Sequence, residues 1–449
     1  MNLSSNTYFD ITDVVHFAMR ENRVTGIQRV QTRIIGDFAR LYPEKTHVTF
    51  QHPGSGAIVT TPAFGLFDAQ EFDPIALLTF LGLLRWRRFP KKRNIIKRIK
   101  SSAPSRLRVL LEQAKVYALS LATPTKIQKS GIIPERPSAA LEIRRLHKIH
   151  GGLTGENLVF LGTNWSFDAL HTFARESKAK NTAVFQLIHD LIPIRYAEYC
   201  SESTQKNFIS FLEASTHFTT HYLTVSNYTN QDLLKYLSTL SVLTKATTLR
   251  LAHEFGGSER VFPIHQETIP PSDTFVLFVG TLDRRKNIEG ILAAWEILLE
   301  RIPEKTPRLI FAGKPGWDSK EFMEKLHNSE TLSKVVSLVD CPSDEQLNQL
   351  YKSCLFVLFP SIAEGWGLPV GEAAWLGKAC LISPNTSLPE VCPESSIVLE
   401  DTSPQAIARS VETICAEDSV LLSISRRISS SPLRTWHDVA NDLHRIIYE

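Results

Sequence analysis

The sequence predicts an α/β protein built as two domains, each a parallel sheet flanked by helices. Three observations carry that prediction. The chain has 449 residues, more than one hydrophobic core ordinarily organises. Short apolar runs alternate with longer segments of helical period, and the alternation occurs twice. That is the pattern of parallel sheets flanked by helices. Between the two series, around residues 254–271, the pattern dissolves into Gly, Ser and Pro, the composition of a linker.

The elements follow in order. Residues 8–12 suit a first strand, 26–42 the helix after it, and 48–52 a second strand. Apolar runs at 158–161 and 183–188 are further buried strands, and 222–226 is another, passing into a helix at Asn227. In the second half, 275–279 is a strand, 288–300 a helix and 308–312 a strand. Residues 335–339 form the next strand, and Ser343 with Gln346 opens a helix with a capping box. The run 354–359 is a strand. The helix after it has Pro369 in its first turn and ends near Gly377. Strands at 379–383 and 397–399 come next, Ser403-Pro404 starts a further helix, and 435–448 is the last one. The expected domains are 1–260, carrying a basic insertion at about 55–150, and 272–430, with 431–449 beyond them.

Composition excludes several classes. The formal net charge is +3, too near neutral to argue for a nucleic-acid partner. Six cysteines, at 200, 341, 354, 380, 392 and 415, show no C-x-x-C spacing and sit mostly in apolar runs. They read as reduced thiols of a cytosolic protein rather than a disulfide framework or a zinc site. The first residues lack a basic-then-apolar signal pattern. No D-x-D pair flanked by apolar residues and no His/Cys cluster with metal spacing occurs, so no metal and no cofactor is expected.

The chemistry-bearing segments lie at strand ends. Glu364 and Glu372 stand with seven residues between them, across a glycine-rich loop that leads into a helix after Gly367 and Leu368. Ligands of open α/β sheets bind at the carboxyl ends of strands. A helix start favours an anion such as a nucleotide diphosphate, and a nearby carboxylate accepts from sugar hydroxyls. Gly280-Thr-Leu-Asp-Arg284-Arg285-Lys286-Asn287 follows the first strand of the second domain. Cations there form a diphosphate clamp, Arg offering a planar fork and Lys a point charge. Basic residues at a helix start oppose its dipole and need another reason to be there.

In the first half, Gly26 would let backbone approach a donor phosphate or an acceptor, with Arg29 either beside it or on the helix surface. His189-Asp190 ends a buried strand. The pair reads as an acid–base dyad or as a core histidine followed by a helix-capping aspartate. Neighbours in a strand point to opposite faces, so a hydrogen-bonded dyad is not obvious. Ser226 suits a helix cap, with a place near acceptor or phosphate as its second reading. Lys314, in the run Ala312-Gly313-Lys314-Pro-Gly316-Trp317, and Val339, before Asp340, are placed to line a base pocket.

The segment 360–373, Pro-Ser-Ile-Ala-Glu364-Gly-Trp366-Gly-Leu-Pro-Val-Gly-Glu372-Ala, resembles the signature of the family 4 retaining glycosyltransferases, also called glycosyl transferases group 1. That signature is a Glu, seven residues and a second Glu in a pattern like E-G-F-G-L-P-x-x-E-A; Trp366 stands where Phe is usual. Gly280 to Asn287 resembles the family's G-T-x-x-x-R-K-N variant, with Thr281 where many members carry Arg. Val24-Thr-Gly26-Ile-Gln28-Arg29 resembles its G-I-x-R segment, His189 to Pro193 its H-D-L-I-P segment, and Val225-Ser226 the start of its V-S-x-x-S/T segment.

The resemblance implies the GT-B fold, two Rossmann-like domains facing across a cleft, with the 431–449 helix crossing back to the first domain. It implies a nucleotide-diphosphate sugar as donor substrate. Arg285 and Lys286 would hold the diphosphate, Glu372 the ribose, and Glu364 with His189 the transferred sugar. It implies a retaining, metal-independent transfer of a hexosyl or deoxyhexosyl unit, mannosyl or rhamnosyl-like, to a glycan or lipid-linked acceptor of envelope polysaccharide. Two other readings stand beside it: another GT-B enzyme such as a sugar-nucleotide epimerase or phosphorylase, and a non-catalytic glycan-binding assembly subunit.

The insertion carries a separate expectation. An apolar run at 75–84 precedes Arg, Lys and interleaved aromatics at 85–100, and no acid occurs between Asp73 and Glu112. The run is shorter than the ~20 residues of a membrane span. Residues 75–100 are therefore expected at an anionic membrane surface, the apolar part sunk into the interface. That would place the protein in the cytoplasm, peripheral on the inner face of the cell membrane. A solvated insertion and a protein-docking surface are the alternatives.

Overall fold

The computed structural model describes residues 5–21, 25–67, 72–87, 145–256, 258–262, 274–316 and 318–449. They divide into two compact units. One takes the described residues of Met1–Gln186 together with His217–Thr220 and Ile447–Glu449, and the other takes Leu187–Thr216 and His221–Ile446.

In the first unit, β1 (Thr7–Asp10) lies parallel to β2 (Thr46–Gln51) on one side and to β5 (Asn157–Phe160) on the other. On the outside of β2, β3 (Ile58–Pro62) and β4 (His147–Lys148) run antiparallel, and β6 (Ala183–Ile188) adds in parallel beyond β5. The order is β4-β3-β2-β1-β5-β6. The helix Gly26–Leu41 presents Val30, Ile34, Ile35 and Phe38 to the core, the i, i+4 spacing of one helical face. Phe38 meets the ring of Phe9 edge-on at 5.1 Å.

The apolar run at 75–84 is part of this core, which corrects its expected seat in a membrane interface. Residues Pro74–Phe80 form a helix whose start is capped by Asp73, Oδ1 accepting from the N–H of Ile75 (2.9 Å) and Ala76 (3.0 Å). Ile75, Leu77, Leu78, Leu81, Leu83 and Leu84 are all buried. Each such side chain gains about 1.5–3 kcal/mol from leaving water, and moving them into lipid would forfeit that packing. Arg87 is buried as well, and Arg85 stacks on Trp86 at 3.9 Å. The remaining cations of the expected patch, from Arg88 to Lys100, lie outside the described residues, as does Trp317. Among the described residues no helix is long and apolar enough to cross a membrane.

The second unit contains a parallel pair, β7 (His221–Thr224) with β8 (Lys245–Thr248), and a six-stranded parallel sheet. The sheet strands are β9 (Phe275–Val279), β10 (Arg308–Ala312), β11 (Val336–Val339), β12 (Val357–Phe359), β13 (Cys380–Ile382) and β14 (Ser396–Val398). Their order is β11-β10-β9-β12-β13-β14, the 3-2-1-4-5-6 arrangement of a doubly wound fold. Every residue of β9 and β12 is buried, as strands covered by helices on both faces require. The direction of winding reverses between β9 and β12, so the loops leaving their carboxyl ends diverge and open a crevice there. The capping box is present: Ser343 Oγ accepts from the N–H of Gln346, and Gln346 Oε1 from the N–H of Ser343.

The last helix, Trp436–Tyr448, begins in the second unit. There the N–H of Trp436 donates to Glu254 Oε2 at 3.0 Å. Its final residues belong to the first unit, where Tyr448 Oη lies 2.8 Å from Thr7 Oγ1 and donates to the carbonyl of Ser5 at 2.9 Å.

Candidate active site

The loop after β9 turns at once into a 3-10 segment, Arg284–Lys286. Asp283 caps it, Oδ1 accepting from the N–H of Lys286 at 3.1 Å. Asn287 then adopts a left-handed conformation, φ +59°, and its Nδ2 donates to the carbonyl of Thr402 at 2.8 Å. The helix Ile288–Arg301 follows. This turn separates the three cations. Arg284 is exposed, while Arg285 and Lys286 point inward to side-chain exposures of 19% and 12%.

Both inward cations meet Glu364, from the loop after β12. Arg285 Nη1 lies 3.0 Å from Glu364 Oε1, and Lys286 Nζ pairs with the same oxygen. Arg285 Nη1 also donates to the carbonyl of Ala363 at 2.5 Å, and the Arg285 carbonyl accepts from the N–H of Ile362 at 2.8 Å. Lys286 sits over the ring of Phe359, 4.6 Å from its centroid. Burial pushes the Glu364 carboxyl up, but the charges of Arg285 and Lys286 outweigh it and hold the group down at about 2. Burial lowers Lys286, against the pull of Glu364.

The Glu364 loop is braced from behind by a polar run that sequence reasoning did not single out. Ser383 Oγ donates to the carbonyl of Ser361 (2.7 Å) and Asn385 Nδ2 to that of Ile362 (3.2 Å). Thr386 Oγ1 accepts from the N–H of Glu364 (3.0 Å). Ser387 Oγ lies 2.9 Å and 3.1 Å from the carbonyl oxygens of Glu364 and Trp366, its proton shared between them. Thr386 has φ +54°, a left-handed conformation that costs a β-branched residue energy. Strain at a residue that anchors Glu364 fits a functional constraint. The sequence signal available was a Ser, Asn and Thr cluster directly after β13, which reads as an ordinary turn.

The His189-Asp190 segment comes to the same place. Gly365 packs so close to it that a Cβ at 365 would lie 2.0 Å from the carbonyl oxygen of His189 and 3.0 Å from Asp190 Cβ. Only glycine allows that approach. Asp190 takes the capping role, Oδ1 accepting from the N–H of Ile192 at 2.9 Å ahead of the short helix Ile192–Arg195. Burial raises its carboxyl, with Arg285 opposing. His189 is half-buried at the end of β6.

Glu372 lies on the helix Leu368–Trp375, which Gly367 opens at φ +109°. Its Oε2 accepts from Tyr351 Oη at 2.9 Å, and the residue is 4% exposed. Ser226 is fully buried and caps the helix Asn227–Thr239, Oγ accepting from the N–H of Thr229 at 3.0 Å. The first two N–H groups of that helix, at Asn227 and Tyr228, donate to Glu390 at 2.8 Å and 2.7 Å, a partner not anticipated from the sequence. Lys314 is exposed just past β10, and Val339 ends β11, its carbonyl accepting from the N–H of Gly313 at 3.0 Å. Gly26 and Arg29 open the helix Gly26–Leu41 of the first unit. Among the described residues no group of three or more His, Cys, Asp or Glu side chains is placed to hold a metal ion.

Residues 263–428 match the family described as Glycosyl transferases group 1, so this part of the chain is a domain of that family. Among curated proteins, the chain is 26% identical over 246 residues to O-antigen chain mannosyltransferase B of Escherichia coli, covering 53% of this chain and 64% of that protein. It is 26% identical over 257 residues to the serotype-specific mannosyltransferase WbdA of Escherichia coli, covering 55% of this chain and 31% of that one. The alignments thus take in less than two thirds of either relative. Among solved structures, the chain is similar to Anabaena HepE in complex with UDP and glucose, with TM-score 0.56, 13% identity, and 98% and 99% of the two chains covered. It is also similar to sucrose-phosphate synthase from Thermosynechococcus elongatus, with TM-score 0.57, 15% identity, and 98% of each chain covered. These likenesses show the fold, which is GT-B.

Proposed function

We propose that the chain, with its glycosyl transferases group 1 domain at residues 263–428, is a retaining hexosyltransferase. It would move a sugar, mannosyl as the first candidate, from a nucleoside-diphosphate donor to a polysaccharide or lipid-linked glycan. The observation that carries the reading is the convergence of Arg285, Lys286 and Glu364 at the carboxyl ends of β9 and β12, where a doubly wound sheet binds its ligand. The curated relatives that are mannosyltransferases support the choice of sugar.

Arg285 and Lys286 would bind the diphosphate and neutralise the charge it gains as the glycosidic bond breaks. The start of the helix Leu368–Trp375 adds its dipole, so a metal ion is not needed. Glu372, held by Tyr351, would take the ribose hydroxyls, and Glu364 with His189 would orient the sugar. No carboxylate stands in an assigned nucleophile role. The reading therefore has the leaving phosphate oxygen deprotonate the acceptor hydroxyl as that hydroxyl attacks from the same face, which retains the anomeric configuration. Gly26 and Arg29 are the candidates on the acceptor side.

The test is a panel of uridine, guanosine and thymidine diphosphate sugars given to purified protein with and without a glycan acceptor. Release of nucleoside diphosphate only with acceptor, a product of unchanged anomeric configuration by NMR, and full activity in a chelator are expected. Release without acceptor, or a donor converted into an isomer, would overturn the reading. Loss of activity in chelator, restored by magnesium, would overturn metal independence.

A further inference from the structure

The two cations assigned to the diphosphate already hold an anion. One oxygen of Glu364 takes both, at 3.0 Å from Arg285 Nη1 and in contact with Lys286 Nζ, and the Glu364 side chain is only 10% exposed. Resting on the glycosyltransferase reading above, we propose that Glu364 is an internal stand-in for the donor diphosphate. It holds Arg285 and Lys286 while the nucleotide is absent, yields them when the diphosphate arrives, and reclaims them as the nucleoside diphosphate leaves.

The backbone on both sides of the pair is pinned, so the exchange needs only side-chain rotation. The Glu364 N–H is fixed on Thr386 Oγ1 and its carbonyl on Ser387 Oγ. The Lys286 N–H is fixed on Asp283 and the Arg285 carbonyl on Ile362. Two other carboxylates, Asp190 and Asp283, also act on Arg285 electrostatically. Each of those is committed to a backbone N–H, of Ile192 and of Lys286 respectively. The Glu364 carboxylate is engaged by the two cations and by the Ser361 side chain, and by no backbone N–H among the described residues, which marks it as the carboxylate that moves.

Physical chemistry sets the direction of the exchange. A carboxylate lodged on two nearly buried cations opposes any second anion, because charges at a few ångströms interact strongly away from bulk water. A diphosphate carries more charge and more acceptor oxygens, and it engages the Arg fork and the Lys together, so it prevails when present. The cost of displacing Glu364 weakens resting affinity and speeds product release. Its gain is coupling: the carboxylate released from the cations becomes available to sugar hydroxyls only once a diphosphate has bound.

The experiment titrates UDP, GDP and dTDP into wild-type protein and Glu364→Gln, with thermal unfolding run in parallel. Glu364→Gln keeps the shape and removes the competing charge. It is expected to bind whichever nucleotide the wild type binds about ten- to hundredfold more tightly, while losing transfer. If Glu364→Gln does not fold, Glu364→Asp, one methylene short of the cations, replaces it, with a smaller tightening expected in the same direction. A folded variant that binds the nucleotide no better than wild type overturns the exchange and leaves the glycosyltransferase reading standing. Wild-type protein that binds none of the three nucleotides overturns both.

Discussion

Replacing Gly365 with Ala tests the apposition on which the whole site depends. A Cβ at 365 would stand 2.0 Å from the His189 carbonyl oxygen and 2.9 Å from its carbonyl carbon. An ordinary carbon–oxygen approach is about 3.3 Å, so the two segments must part by about 1.3 Å. The obstacle is backbone, and no rotamer change removes it. Overpacking of this kind costs about 1–3 kcal/mol, and a displacement near 1 Å of positioned groups costs roughly 10²-fold in rate. The Arg285–Lys286 turn has anchors of its own in Asp283 and Asn287, beside its contacts to Ile362 and Ala363 of the displaced loop, so nucleotide affinity should fall, but by less than turnover does. The assays are steady-state transfer, nucleoside-diphosphate titration and urea unfolding. The expected result is a fall in kcat of about two orders of magnitude with a lowered unfolding midpoint and a smaller loss of nucleotide affinity. Wild-type turnover and an unchanged midpoint in Gly365→Ala would refute the reasoning, because they would mean that the His189 and Glu364 segments do not touch.

Two further outcomes follow from other residues. Lys286→Ala removes one charge-assisted contact to the diphosphate, worth about 1.5–3 kcal/mol; calorimetric titration should show nucleoside-diphosphate affinity reduced roughly ten- to hundredfold, and equal affinities would remove Lys286 from the site. Asp10 is buried at the end of β1, and burial pushes its carboxyl from 3.8 up to about 8, the hydrogen bond from Thr12 opposing and nearby Asp13 reinforcing. A raised acid is protonated in the folded protein across that window, so its stability contribution is present below about pH 4 and lost as pH rises through about 8. Asp10→Asn is permanently neutral, and its urea midpoint should gain on wild type as pH rises from 5 to 8, by at most about 1.4 kcal/mol per pH unit; parallel curves would show that Asp10 is not perturbed.

The site was legible in the sequence where local grammar expresses it. Glu364, Lys286 and the helix after Gly367 follow from residue types at strand ends, because a strand end feeding a helix start is itself a local pattern. The bracing of Glu364 by Ser383, Asn385, Thr386 and Ser387 was not legible. Polar residues after a strand read the same whether they face water or hold another loop's carbonyls, and only the pairing of β12 with β13 brings the two loops together. Gly365 stood in the sequence only as one member of a glycine-rich loop, whereas its constraint is a contact with a residue far away in sequence. The apolar run at 75–84 was misread for a physical reason. Leucines beside cations satisfy a lipid interface and a protein core equally well in one dimension, and the core had the prior claim. Strand existence in the second unit was well expressed, since β9, β10 and β12 are apolar runs with few polar interruptions.

The hydrogen bond between Thr7 and Tyr448 spans 441 positions of sequence and ties a central strand to residues made much later. At about 5–20 residues per second of synthesis, β1 leaves the ribosome roughly 20–90 s before its partner exists. During that interval the nascent first unit has its helices and its sheet but lacks the phenol that holds Thr7 and the Ser5 carbonyl. The first unit must stay soluble through translation of the second unit. Completion of the first unit therefore waits until the second unit has been made, which leaves an interval in which chaperones can act on it.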